Sequence, residues 1–205
     1  MTDEEATAVT PILENVGRLV SDAGILIGAG SYPSAFVLSV IALEECGKIV
    51  QLRWRQLGLK TSGQKRTAHL QKQWAVACLL IANKVLPFYV KILTSPPEQQ
   101  GAGLVELAAN FIDSKERAFF EDVIAVNLDR AKQLGLYEDD TNAQIGRTRD
   151  DIGAAAVQQI NETISEALPL LENDVVVQVA SVFFEIMPPF KDDILAQKDA
   201  PEQAS

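Results

Sequence analysis

The sequence predicts an all-α protein, an antiparallel bundle of five to six main helices. Three observations carry this. Apolar residues make up 47% of the chain and aromatics only 6%, with Ala and Leu prominent and few β-branched runs, a composition that suits helices. Apolar residues recur at steps of three and four along most segments, the spacing of one helix face. Gly, Pro and short polar stretches then cut the chain into helix-length pieces joined by loops short enough for up-and-down packing. At 205 residues the chain is long enough for one good core, so residues 1–187 read as a single helical domain.

The first helix is expected to begin at Thr10-Pro11, an N-cap followed by proline at the first helical position. Its inward face is Ile12, Val16, Leu19, Val20, Ala23 and Ile27, and Gly28 and Gly30 stop it. Tyr32-Pro33 opens the second helix, which is apolar on every side from Phe36 to Leu43 and ends at Leu57-Gly58. A turn from Lys60 to Lys65 leads to a third helix from Arg66 to Ile92, bent at Pro87. Thr94 to Gly103 reads as a loop. A fourth helix runs from Leu104 to Leu134 with an interruption near Asp113-Ser114, and Gly135 ends it. A second connection extends from Leu136 to Arg147. The fifth helix covers Thr148 to Leu171, with Pro169 ending or kinking it, and a last helix covers Asp174 to Met187. Residues 188–205 are polar and read as a disordered tail.

Net charge is −10 with a pI near 4.6, which argues against a general nucleic-acid coat. The charge is unevenly placed. Between Cys46 and Pro97 there is no Asp or Glu, while nine of the eighteen cations fall there and all 28 acids lie outside. A basic helical hairpin inside an acidic body is the expectation. The run from Ala23 to Leu43 is long enough to span a bilayer, but Gly28 to Pro33 breaks it into two core helices. Cys46 and Cys78 lie in apolar surroundings and read as packing thiols. Thr2-Asp3-Glu4-Glu5 lacks the basic start of an export signal, so a cytoplasmic protein with no membrane partner is expected. No metal-type Cys spacing, phosphate loop, nucleophile elbow or dinucleotide fingerprint is present, and one histidine cannot supply a di-iron site. No metal or cofactor is expected.

Candidate chemistry gathers between Glu44 and His69. Glu45 continues the Leu38/Ile41 stripe toward Leu52 at helical spacing, and a buried carboxylate there needs a partner. Arg130 follows Phe119, Val123 and Val126 on an inward stripe and is the expected two-point partner of Glu45. An ordinary core ion pair is the competing reading. His69, Lys72 and Arg66 share a helix face. Cations around His69 favour a neutral imidazole, which beside Lys48 and Lys72 suits a phosphodiester ligand. Glu44 or Glu45 then orients a lysine or the imidazole. The competing reading makes His69 a helix-start residue and the basic run a solvated face.

These residues also resemble a known family. Ala35 to Lys48 reads as A-x-x-L-x-x-x-A-L-E-E-x-G-K, followed by His69-x-x-Lys72 and then by Arg130, Lys132 and Gly135-Leu136-Tyr137-x-Asp139. From Val16 to Asp140 this order is similar to the AbiV-type abortive-infection proteins, an α-helical branch of the HEPN superfamily. The resemblance implies phage defence by shutting down a host process such as translation, a phage or host protein as trigger, and a two-fold dimer. It adds Tyr137 and Asp139 to Lys72, Arg66 and Arg130 as substrate-binding residues, with His69, Lys48, Glu45 and Glu44 as the catalytic set. HEPN relatives that cleave RNA without metal use an Arg, four to six residues, then a His, assembled across a dimer. Here Arg66 stands three residues before His69, outside that pattern. The expected function is therefore an RNA-directed effector, with a non-catalytic module that blocks a machine by contact, or a regulatory subunit, as the alternatives. A dimer is also expected because the apolar faces of the first and fifth helices exceed what one thin bundle hides.

Overall fold

The computed structural model describes residues 3–59, 68–125, 127–136 and 151–186, and among these every regular element is a helix. There are eight: α1 (Asp3–Gly28), α2 (Tyr32–Gln56), α3 (Ala68–Thr94), α4 (Pro97–Ile112), α5 (Lys115–Ile124), α6 (Asn127–Leu136), α7 (Ala154–Leu170) and α8 (Asp174–Ile186). The fold class is as expected, with more helices than the five to six anticipated. The turn residues between Lys60 and Arg66, the second connection after Leu136 and the tail lie outside the described residues.

α2 is the hub. Helices α1, α3, α6, α7 and α8 all pack on it, which is why it is apolar on every side. Its two flanking turns follow from glycine. Gly30 and Gly58 have φ of +73° and +71°, a region that costs little only for glycine. At each, two hydrogen bonds close the preceding helix: Gly30 N–H to Ile27 O and Ser31 N–H to Leu26 O, then Gly58 N–H to Arg55 O and Leu59 N–H to Trp54 O. That is the Schellman arrangement, and it places both ends of α2 where the glycines predict. α8 covers the far end of α2, where the Trp54 indole donates to Val177 O at 2.8 Å and its ring meets Phe184. Cys46 and Cys78 are buried and form no disulfide, and burial pushes the Cys46 thiol up to about 12, so it packs and does not react.

Three boundaries differ from expectation. α1 extends upstream through Pro11 to Asp3, one lost backbone bond being tolerable in an otherwise continuous helix. The expected loop from Thr94 to Gly103 is largely α4, which starts at Pro97 because proline fits the first helical position. Gly103 is there for closeness: a Cβ on it would come within 2.7 Å of Ile92 Cγ1. The expected fourth helix is three helices. Ser114 caps α5 by accepting the Arg117 N–H at 3.2 Å, and a second break at Ala125 separates α5 from α6.

α2 and α3 cross where Gly47 meets the backbone of Lys72. A Cβ on Gly47 would lie 2.0 Å from Lys72 O, and backbone cannot move aside as a side chain can. Gly47→Ala is therefore expected to destabilise by about 1–3 kcal/mol or more, read as a lowered urea midpoint. An unchanged midpoint would show that the two helices separate freely.

Candidate functional site

The crossing at Gly47 sets the site beside it. Glu44, one turn earlier on α2, has a side chain only 5% exposed and receives three side-chain donors. Its Oε1 accepts from Lys132 Nζ at 2.7 Å and from Gln73 Nε2 at 3.0 Å. Its Oε2 lies 2.6 Å from His69 Nδ1. Lys132, on α6, is 6% exposed and also holds Asp129 at 3.0 Å. α6 can reach α2 because Gly135 omits its Cβ, which would sit 2.7 Å from Val37 Cγ2 and 3.0 Å from Pro33 O.

The proton inventory follows from the donor set. Beside a buried ammonium Glu44 is ionised and can only accept hydrogen bonds. His69 Nδ1 must therefore carry a proton, which leaves Nε2 with the free lone pair whenever the ring is neutral. The imidazole is 58% exposed, so a buried carboxylate holds one edge of a ring that solvent can reach. Gln73 is fully buried with its Oε1 unpartnered among the described residues. Such an orphan costs about 1–3 kcal/mol, and the amide that carries it also supplies a donor to Glu44. Burial alone pulls the Lys132 ammonium down, but hydrogen bonds and charge from Glu44 and Asp129 outweigh it and raise Lys132 above its ordinary 10.5.

The expected pair of Glu45 and Arg130 does not form. Glu45 is half-buried and bonds Lys48 Nζ at 3.3 Å on its own helix, and Arg130 is exposed. On α2 the stripe Leu38, Ile41, Glu45, Lys48 and Leu52 is the least buried one, and Glu44 occupies a fully covered side. For Arg130 the cause is the break at Ala125, which resets the helical register. The buried stripe of α5, Phe119 and Val123, continues as Leu128 and Lys132. Lys72 is half-buried with its carbonyl against Gly47. Arg66, Tyr137 and Asp139 lie outside the described residues, and no metal-holding cluster occurs among those described. Sequence reasoning missed Gln73 and Asp129 and left Lys132 without a role. Gln73 stands four residues after His69, just before the apolar run of α3, and that position was the available signal.

An all-helical bundle that pins a carboxylate between a lysine and a histidine defines a class before it defines a family. A family model described as AbiV, of the HEPN group, matches residues 5–168. The chain belongs to the AbiV family, and its place is in abortive-infection defence against phage. No curated protein and no solved structure matches it.

Removing one member of the buried pair strands the other, so Lys132→Met is expected to cost about 3–5 kcal/mol. Adding Glu44→Gln should recover part of that loss. Glu45→Gln and Arg130→Met should each stay within about 0.5 kcal/mol of the parent. A lysine raised on folding stabilises fully below its unfolded value and loses that contribution as pH rises through its folded value. The stability gap between parent and Lys132→Met should thus hold at neutral pH and close above 10.5. Urea titrations across that range check both points, and a gap that closes below neutrality would contradict the pairing.

Proposed function

We propose that the protein is an RNA-directed effector that shuts down host translation, with His69 as its proton-transfer group. The observation that carries this reading is the 2.6 Å contact between His69 Nδ1 and buried Glu44. A carboxylate on one ring nitrogen orients the imidazole and stabilises the charge it gains when the other nitrogen takes a proton. Neutral His69 would accept the proton of a ribose 2′-hydroxyl through Nε2. The freed oxygen would form the new bond to phosphorus as the bond to the 5′-oxygen breaks, and that oxygen would take a proton from solvent. Lys72 and Lys48 flank the crossing beside Glu44 and supply positive charge for phosphate oxygens. Glu44 and Gln73 act through the ring and do not touch substrate. The chemistry needs no metal.

A second reading has its own support. Of the basic residues between Cys46 and Pro97, Lys48, Arg53, Lys84 and Lys91 are each matched by an acid. That leaves a smaller basic surface for RNA than the sequence suggests, and it favours a module that blocks a machine by contact. Purified protein incubated with total RNA, with and without chelator, separates the two. The effector reading expects cleavage indifferent to chelator, lost by about 100-fold or more in His69→Ala, at an unchanged melting temperature, together with loss of phage protection. Binding without cleavage, or full protection by His69→Ala, would sink it in favour of contact.

A further inference from the structure

The line of charges behind His69 does not end at Glu44. Lys132, which bonds Glu44 Oε1 at 2.7 Å, also bonds Asp129 Oδ1 at 3.0 Å one turn earlier on α6. The contacts run from Asp129 through Lys132 and Glu44 to His69, from the flank of α6 to the first turn of α3. Asp129 is 30% exposed, so two enclosed charges lie between two groups that water reaches.

Charge along this line is uneven. With a neutral ring, Glu44, Lys132 and Asp129 sum to one negative charge, and a proton on His69 Nε2 brings the four groups to zero. Glu44 and Lys132 cancel, so the uncancelled charge is that of Asp129. Without Asp129 the whole Lys132 ammonium would act on Glu44 and weaken that carboxylate as an acceptor for the His69 Nδ1–H.

Other charges near this end of α3 are few. On α2, Glu45 and Lys48 bond each other. On α3, Lys72 is the only other charge from Ala68 to Asn83. α8 brings Asp174, held by Arg53, and Glu185, and α6 adds the exposed Arg130. Glu116 on α5 and Glu166 on α7 are held by Lys84 and Lys115. Lys84 stands 15 residues, about 22 Å, along α3 from His69. Among the described residues only Glu44 hydrogen-bonds the ring.

We propose that Asp129 is a remote positioning residue of this site, sharing Lys132 so that Glu44 keeps the charge that holds the His69 ring and the proton it takes up. α6 then belongs to the site, although none of its described residues bonds His69. This rests on the reading of His69 as the proton-transfer group. The coupling itself is read on the ring, so it can fail while that reading stands. An acid that only steadied Lys132 in the core would leave the ring unchanged.

Nuclear magnetic resonance on the full chain tests it. His69 is the only histidine, so one set of imidazole resonances reports the ring. In Asp129→Asn the Nδ1–H proton should move upfield, as a weaker hydrogen bond requires. At a fixed pH the ratio of imidazolium to neutral ring should fall about three- to tenfold, the effect of one charge a few contacts away. Lys132→Met should move both readouts the opposite way, because Glu44 then shares no cation. Asp129→Glu should restore the parent values. Glu106→Gln should change neither, since its partner Lys91 stands 22 residues, about 33 Å, along α3 from His69. Mere loosening of the site would send Asp129→Asn and Lys132→Met in one direction, toward imidazole free in water. That outcome, or resonances unmoved in Asp129→Asn, would overturn the proposal. Should Lys132→Met fail to fold, Asp129→Asn and its rescue by Asp129→Glu decide alone. These shifts without any RNA cleavage would count against the RNA reading and leave the coupling in place.

Discussion

Burying the Glu44 carboxylate and the Lys132 ammonium together constrains the whole bundle. Each ion alone would cost several kcal/mol to desolvate, and their attraction offsets this only at good geometry. Good geometry here demands that α2, α3 and α6 approach within the reach of single side chains. Gly47 and Gly135 meet that demand, each at a contact no Cβ would allow. The carboxylate that satisfies Lys132 also draws Gln73 inward and ties down one edge of His69. Stability and chemistry therefore meet in one group: the pairing that keeps the core from holding a lone charge also orients the exposed imidazole.

Much of the fold was legible because local chemistry decides it. Gly30 and Gly58 end helices by positive φ, which neighbouring packing need not specify. Tyr32-Pro33 and Asp174 start helices where expected. Orientation was not legible on α2. A helix covered on nearly every side is apolar on nearly every side, so its wheel has no contrast, and Glu45 and Glu44 stand only about 100° apart. The Arg130 error has a different origin. A wheel drawn through an unnoticed break keeps counting, whereas the chain resets at Ala125, and two residues of displaced register exchange Arg130 for Lys132.

The acid-free stretch from Cys46 to Pro97 is also explained by where its cations go. Arg53 reaches Asp174 at 2.6 Å and Leu171 O at 3.1 Å, joining α2 to the α7–α8 turn. Lys84 approaches Glu116 on α5 at 3.9 Å, and Lys91 takes Glu106 on α4. Segregating the signs along the sequence means that basic helices meet acidic ones across interfaces. Exposed pairs of this kind add little stability, about 0–1 kcal/mol each, but opposite signs favour the correct neighbours over like-charged alternatives. A charge run that looks like a ligand surface in the sequence is here partly a device for docking helices.

The two ends of α3 stand in different surroundings. His69 stands in its first turn and Leu93 in its last. The 24 residue steps from one to the other span about 36 Å at 1.5 Å per residue. The donors that define each site, Glu44, Gln73 and Lys132, all come from one chain. A site completed across a dimer, as the HEPN resemblance implied, needs a surface near the N-terminus of α3, where Lys72 and Lys48 stand.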